Sequence, residues 1–137
     1  MAEQWVSTKS SPSLSGRKSR NTTPEVELRR ALHSLGARFR LHRRLAPSCA
    51  PDLVLPGRRI AVWVDGCYWH SCPEHGRRKA FEGPNADLWA EKMARTRERD
   101  AIATRRAEEL GWKAVRVWEH EVRADPVRAA MRVLSSQ

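Results

Sequence analysis

Pro51-Asp52 and the stretch from Val62 to His75 hold the residues of this chain best equipped for chemistry. Asp52 precedes an apolar triplet, Leu53-Val54-Leu55. Asp65 closes a second apolar run, Ile60 to Val64, on the far side of a Pro56-Gly57 turn. In a hairpin of that length both carboxylates can reach one end of a sheet. Two oxygen donors there suit Mg²⁺, which keeps several waters and takes one or two carboxylates plus a substrate phosphate. A metal so placed activates water and neutralises charge on a phosphate under attack. Glu27, on the helix expected upstream, is a candidate to orient this cluster. For Pro51-Asp52 by itself, ordinary turn chemistry is the competing explanation.

Cys67, Cys72 and His75 form a C-x4-C-x2-H pattern, and His120 follows a later apolar run. Two thiolates and two imidazoles make a closed tetrahedral set of the kind that holds structural zinc. His120 enters that set by element order, because the strand it follows is expected to neighbour residues 60–64. Cys49 is a possible substitute ligand, and the alternative for the whole group is free buried cysteines with surface histidines. His70 lies between the zinc-type ligands and close to Asp65 in sequence, which suits a general acid or base. Tyr68 and Trp69 are adjacent, so on any regular element one of them faces outward. Held on a metal-fixed loop, the pair can wedge between stacked bases at a cost of a few kcal/mol per step, least at a mismatch. The plainer reading makes Trp69 a core residue and Tyr68 incidental.

The elements that must position these groups are legible in outline. Thr23 can cap a helix with Pro24 in its first position and Glu25 at its positive end. Val26, Leu28, Ala31, Leu32 and Leu35 supply the apolar stripe, and Gly36 ends it. Residues 37–44 are arginine-heavy and read as extended, followed by the hairpin of 53–55 and 60–64. Residues 76–84 are irregular. A long helix is expected from Asn85 or Asp87 to Leu110, stopped by Gly111, with Leu88, Met93, Ile102 and Leu110 as its sparse apolar members. Ala114 to Trp118 is another strand, and Asp125-Pro126 starts a final helix to about Leu134. Trp63, Trp89, Trp112 and Trp118 read as core or helix-packing residues. The order predicts an α/β domain over 21–137 with a mixed central sheet flanked by helices.

Residues 1–20 are rich in Ser, Lys, Arg and Gly, with Trp5, Val6 and Leu14 as the few apolar members. They read as a flexible basic arm that orders on a polyanion, or as a solvated tail. The chain has 137 residues with 26 Lys+Arg against 16 Asp+Glu, a formal charge of +10. Such an excess favours nucleic acid, because each phosphate contact releases condensed counterions; the bland alternative is a soluble, arginine-rich protein. No apolar run approaches the roughly 18 residues of a membrane span, and the N-terminus lacks the apolar core of a signal peptide. Three cysteines cannot all pair, so metal binding in a reducing cytoplasm is expected rather than a disulfide framework.

Taken together, Asp65-Gly66-Cys67-Tyr68-Trp69-His70-x-Cys72-Pro73, Thr23-Pro24-Glu25 upstream and Trp112 to Glu119 downstream resemble the very short patch repair (Vsr) DNA mismatch endonucleases. The likeness runs in the same order over roughly residues 15–134. It implies a PD-(D/E)xK-type nuclease core with a structural zinc site. It also implies Mg²⁺-dependent nicking of one DNA strand 5′ to the thymine of a T:G mismatch left by deaminated 5-methylcytosine. Carried over by residue, Asp52 matches the essential metal-binding aspartate and Val64 the position whose main-chain carbonyl also ligates Mg²⁺. His70 matches the catalytic histidine and Glu27 a helix glutamate near the active site. Tyr68 and Trp69 match intercalating aromatics that are Phe-Trp in well-known relatives, and Cys67, Cys72, His75 and His120 fall on or near the zinc positions.

Three departures stand out. Asp65 occupies a position where some relatives carry a functional histidine, so it either ligates metal or orients His70. His120 stands where some relatives use a cysteine, and Leu14 stands where relatives often place a methionine that helps wedge the DNA. The expectation is a bacterial, cytoplasmic, nucleoid-associated monomer acting on double-stranded DNA with a T:G mismatch, with a mismatch-repair protein as a possible partner. The alternatives are a restriction- or homing-type nuclease of the same fold and a non-catalytic zinc-stabilised DNA-binding module.

Overall fold

The computed structural model describes residues 22–66 and 83–136. In chain order these form α1 (Thr23–Ser34), β1 (Arg40–Leu41), β2 (Leu53–Leu55), a 3₁₀ turn (Pro56–Arg58) and β3 (Ile60–Asp65). Then come α2 (Ala86–Glu109), β4 (Lys113–Trp118), α3 (Glu119–Ala124) and α4 (Pro126–Leu134). The sheet order is β1-β2-β3-β4. Its first two pairings are antiparallel, and β3 pairs with β4 in parallel, Asp65 opposite Trp118. This is the mixed sheet expected. The parallel pair needs a crossover, and α2 lies within it.

Strand alternation divides the core into two layers. Leu53, Leu55, Ile60, Val62, Val115 and Val117 face α1, α3 and α4, meeting Leu28, Leu32, Val122, Ala130 and Val133. Val54, Ala61 and Trp63 face the other way and pack with Cys49, Ala103, Ala107 and Trp112. On α2 the buried positions are therefore Met93, Ala103 and Ala107. Of the sparse apolar members expected there, Met93 is buried, whereas Ile102 and Leu110 are exposed. Small alanines let the helix approach the broad Trp63 and Trp112 rings, so the larger side chains four positions apart are not needed on that face.

The helix ends follow from local chemistry, with one correction. Thr22, not Thr23, caps α1, its Oγ1 accepting from the Glu25 N–H at 3.5 Å. Gly36 then takes a left-handed φ of +80° just beyond the helix, which only glycine adopts without cost. Leu35, expected in the apolar stripe, is exposed. Asp125 caps α4 as expected, its Oδ1 accepting from the Arg128 N–H at 3.0 Å. Among the described residues, no helix is long and apolar enough to cross a membrane.

Candidate active site

Asp52 sits just before β2, at the end of the sheet where β3 finishes. Its N–H donates to the Val62 carbonyl at 2.9 Å, continuing the ladder one step past the strand. The next step is made by its side chain, Asp52 Oδ2 accepting from the Val64 N–H at 2.7 Å. One carboxylate oxygen is thereby fixed against β3. In an antiparallel ladder the N–H and C=O of one residue project to the same side of the strand. The Val64 N–H is turned toward Asp52, so the Val64 carbonyl faces that side too. A carboxylate and a main-chain carbonyl are hard oxygen donors, the chemistry that Mg²⁺ takes.

Asp65 forms an ion pair with the neighbouring strand. Its carboxylate oxygens accept from Arg116 Nη1 at 3.0 and 3.1 Å. Arg116 also donates to Thr104 Oγ1 at 2.9 Å and to the Asp100 carbonyl at 2.8 Å, and it lies over the Trp63 ring at 4.7 Å. Asp65 is thus tied, through β4, to α2 on the Trp63 side of the sheet. One contact of this residue is an ion pair with a side chain 51 positions away; His70, the group it is expected to orient, lies outside the described residues.

Glu27 is half-buried on α1. The deeply buried acid of that helix is Glu25, which pairs with Arg29 at 3.4 Å. His120 lies in α3, one residue into the helix; it follows β4, which neighbours β3 as expected. His70, Tyr68, Trp69, Cys67, Cys72, His75 and Leu14 lie outside the described residues. Among the described residues, no group of three or more His, Cys, Asp or Glu side chains could hold a metal. His42 escaped the sequence reading. It donates its N–H to the Asp52 carbonyl at 3.0 Å and has a φ of +49°, a left-handed conformation that its side-chain type tolerates better than most. Nothing in a one-dimensional pattern signals that backbone angle.

Cys49, the substitute zinc ligand considered from sequence, is fully buried, its Sγ donating to the Ala103 carbonyl at 3.4 Å. Burial pushes its thiol above the ordinary 9.0, with Arg116 and Arg106 pulling less strongly the other way. The folded chain therefore keeps a proton that the unfolded chain releases above that value, so Cys49's contribution to stability falls as pH rises through it. The expected decline is at most about 1.4 kcal/mol per pH unit. Urea midpoints between pH 7 and 10 check it: the gap between wild type and Cys49→Ala should narrow at alkaline pH, whereas parallel curves would contradict it.

The comparisons with known proteins place the chain among DNA endonucleases. The family described as DNA mismatch endonuclease Vsr matches residues 3–75, more than half of the chain, and the protein belongs to that family. It is 40% identical over 117 residues to the type II nicking enzyme V.NaeI of Lentzea aerocolonigenes, spanning 82% of this chain and 69% of the relative. It is 40% identical over 106 residues to the type II nicking enzyme V.XorIIP of Xanthomonas oryzae pv. oryzae, spanning 77% and 75%. It is also 33% identical over 106 residues to the DNA mismatch endonuclease Vsr of Escherichia coli K12, spanning 76% of this chain and 65% of that protein. The four-stranded mixed sheet with helices on both faces suits the nuclease fold of that family.

Proposed function

We propose that this endonuclease nicks one strand of DNA 5′ to the thymine of a T:G mismatch, in a Mg²⁺-dependent reaction. The observation that supports the proposal is the Asp52 carboxylate held at 2.7 Å by the Val64 amide at one end of the sheet. The Asp52 carboxylate and the Val64 carbonyl would hold Mg²⁺, which when bound polarises the scissile phosphate and lowers the pKa of attacking water. Asp52 keeps its orientation because one of its oxygens is anchored to β3. His70 moves a proton, to the leaving oxygen or from the attacking water. Tyr68 and Trp69 open the stack at the lesion, and Leu14 in the basic arm wedges from outside. Glu27 orients the cluster from α1.

Cys67, Cys72, His75 and His120 would hold a structural zinc ion, a donor set whose chemistry fits that metal. Its part is to fix one geometry for the aromatics and His70. Asp65 serves the same end by a different means, anchoring the last residue of β3 to Arg116 just ahead of that loop. A monomer suffices, since an asymmetric lesion needs no two-fold axis; a cytoplasmic, nucleoid-associated enzyme with or without a mismatch-repair partner fits this reading.

Relatives named as type II nicking enzymes support a second reading, in which the same centre nicks a perfect duplex at a specific sequence. Single-turnover cleavage of otherwise identical matched and T:G duplexes separates the two. The mismatch reading expects the T:G substrate to react at least about 100-fold faster, because unstacking a paired step adds a few kcal/mol to the barrier. Equal rates would favour the sequence-specific nickase.

A further inference from the structure

A concavity of about 860 Å³ lies at the opposite end of the β2–β3 hairpin from Asp52. The end of α1, β1 and the 3₁₀ turn form its wall, with His33, Arg38, Arg40 and Arg58 as its ionisable lining and no carboxylate among the described lining residues. Several other arginines of the fold are engaged instead. Arg29, Arg106, Arg116, Arg123 and Arg132 each pair with a carboxylate. Arg59, the neighbour of Arg58, is spent on the Leu110 carbonyl at 3.0 Å and on the Trp112 ring. His33, Arg38, Arg40 and Arg58 are exposed around the hollow and give it a cationic surface that favours an anion.

We infer that this hollow is a second phosphate site, taking a backbone phosphate of the duplex flanking the lesion. The inference rests on the DNA-cleaving reading above and extends it. Arginine presents a fixed fork of donors matched to phosphate oxygens, so the lining is suited to a phosphodiester. Pro56 is four residues along the chain from Asp52, about 13 Å in extended backbone. One duplex spans both ends of the hairpin easily, since a helical turn is about 34 Å long. The site makes the footprint one-sided: flank is needed on the side that reaches the hollow.

Two variants test it without touching the catalytic end. Arg38→Gln/Arg58→Gln removes two of the charges. Gly57→Glu places a competing carboxylate in the hollow; an added Cβ there meets no atom within 4 Å and Gly57 is not in a left-handed conformation. The control, Arg123→Gln/Arg128→Gln, removes two exposed charges from α3 and α4. Duplex affinity is measured in EDTA from 50 to 300 mM salt, on T:G and matched duplexes, with flanks trimmed from either side. The expected result is that both hollow variants, but not the control, weaken both duplexes alike and flatten the log Kd–log salt slope by about 1. Trimming one flank should have the same effect on wild type and none on the variants. Slopes indistinguishable from the control would overturn the site. Competition by inorganic phosphate with no dependence on flank would overturn the duplex assignment. Because the nick is assayed separately, an enzyme that nicks T:G duplex with unchanged slopes loses only this inference. Changed slopes without any nick would instead count against the proposed reaction.

Discussion

Asp52→Asn is expected to lower the nicking rate by about 10³-fold or more while leaving duplex binding and folding nearly intact. Asparagine keeps a carbonyl oxygen that can accept the Val64 N–H, the bond made at 2.7 Å in the native chain. The end of β2 should therefore stay in register, and the thermal midpoint should move little. What is lost is the negative charge on the proposed metal ligand, and charge stabilisation of this kind is worth several kcal/mol in the transition state. Single-turnover rates at saturating enzyme separate the chemical step from binding. A variant within tenfold of wild type would remove Asp52 from the reaction.

The second large effect is on stability. Asp65 is 3% exposed, and Arg116 is its ion-pair partner. Replacing Arg116 by methionine keeps an unbranched chain over the Trp63 ring but leaves a buried carboxylate without its cation. Breaking a buried pair from one side costs about 3–5 kcal/mol. For a domain of this size that corresponds to a fall of about 10–15 °C in the melting temperature. Asp65→Asn should cost less, because Arg116 retains the Asp100 carbonyl, the Asp100 carboxylate at 3.5 Å and Thr104. Asp65→Asn/Arg116→Met should recover part of the loss, since the buried carboxylate is then gone and the Asp100 carboxylate that also loses Arg116 is partly exposed to water. Differential scanning calorimetry of the three variants checks this. Additive effects would mean the two residues do not act as a pair.

The contrast between Asp52 and Asp65 shows where reading along the chain works. Pro51-Asp52, the apolar triplet and the Pro-Gly turn are local signals, and the hairpin follows from them. The anchoring of Asp52 by Val64 is a consequence of that hairpin and needs only the register. The Asp65–Arg116 pair depends on β3 lying parallel to β4 in one register, across a crossover of dozens of residues, and no local pattern states it. On α2, Met93 is legible as a buried residue, but the alanines packed on the sheet are not. Large apolar side chains dominate a periodicity count, whereas Ala103 and Ala107 are buried because they are small. At α1 two adjacent threonines are both competent caps, and only the backbone angle at Thr22 selects between them. Helix α3 went unseen because Glu119–Ala124 has a single buried apolar residue, Val122. The glycine stops, the Asp125 cap and strand β2 needed only local chemistry and were legible.

The most direct test of the proposed reaction is a strand-resolved nicking assay on T:G and matched duplexes, each strand labelled in turn, with Mg²⁺ and with EDTA. The account predicts one nick, in the thymine strand, immediately 5′ to the mismatched thymine, present with Mg²⁺ and absent with EDTA and on the matched duplex. A nick that persists in EDTA, or that falls on the matched duplex at the same rate, would contradict it.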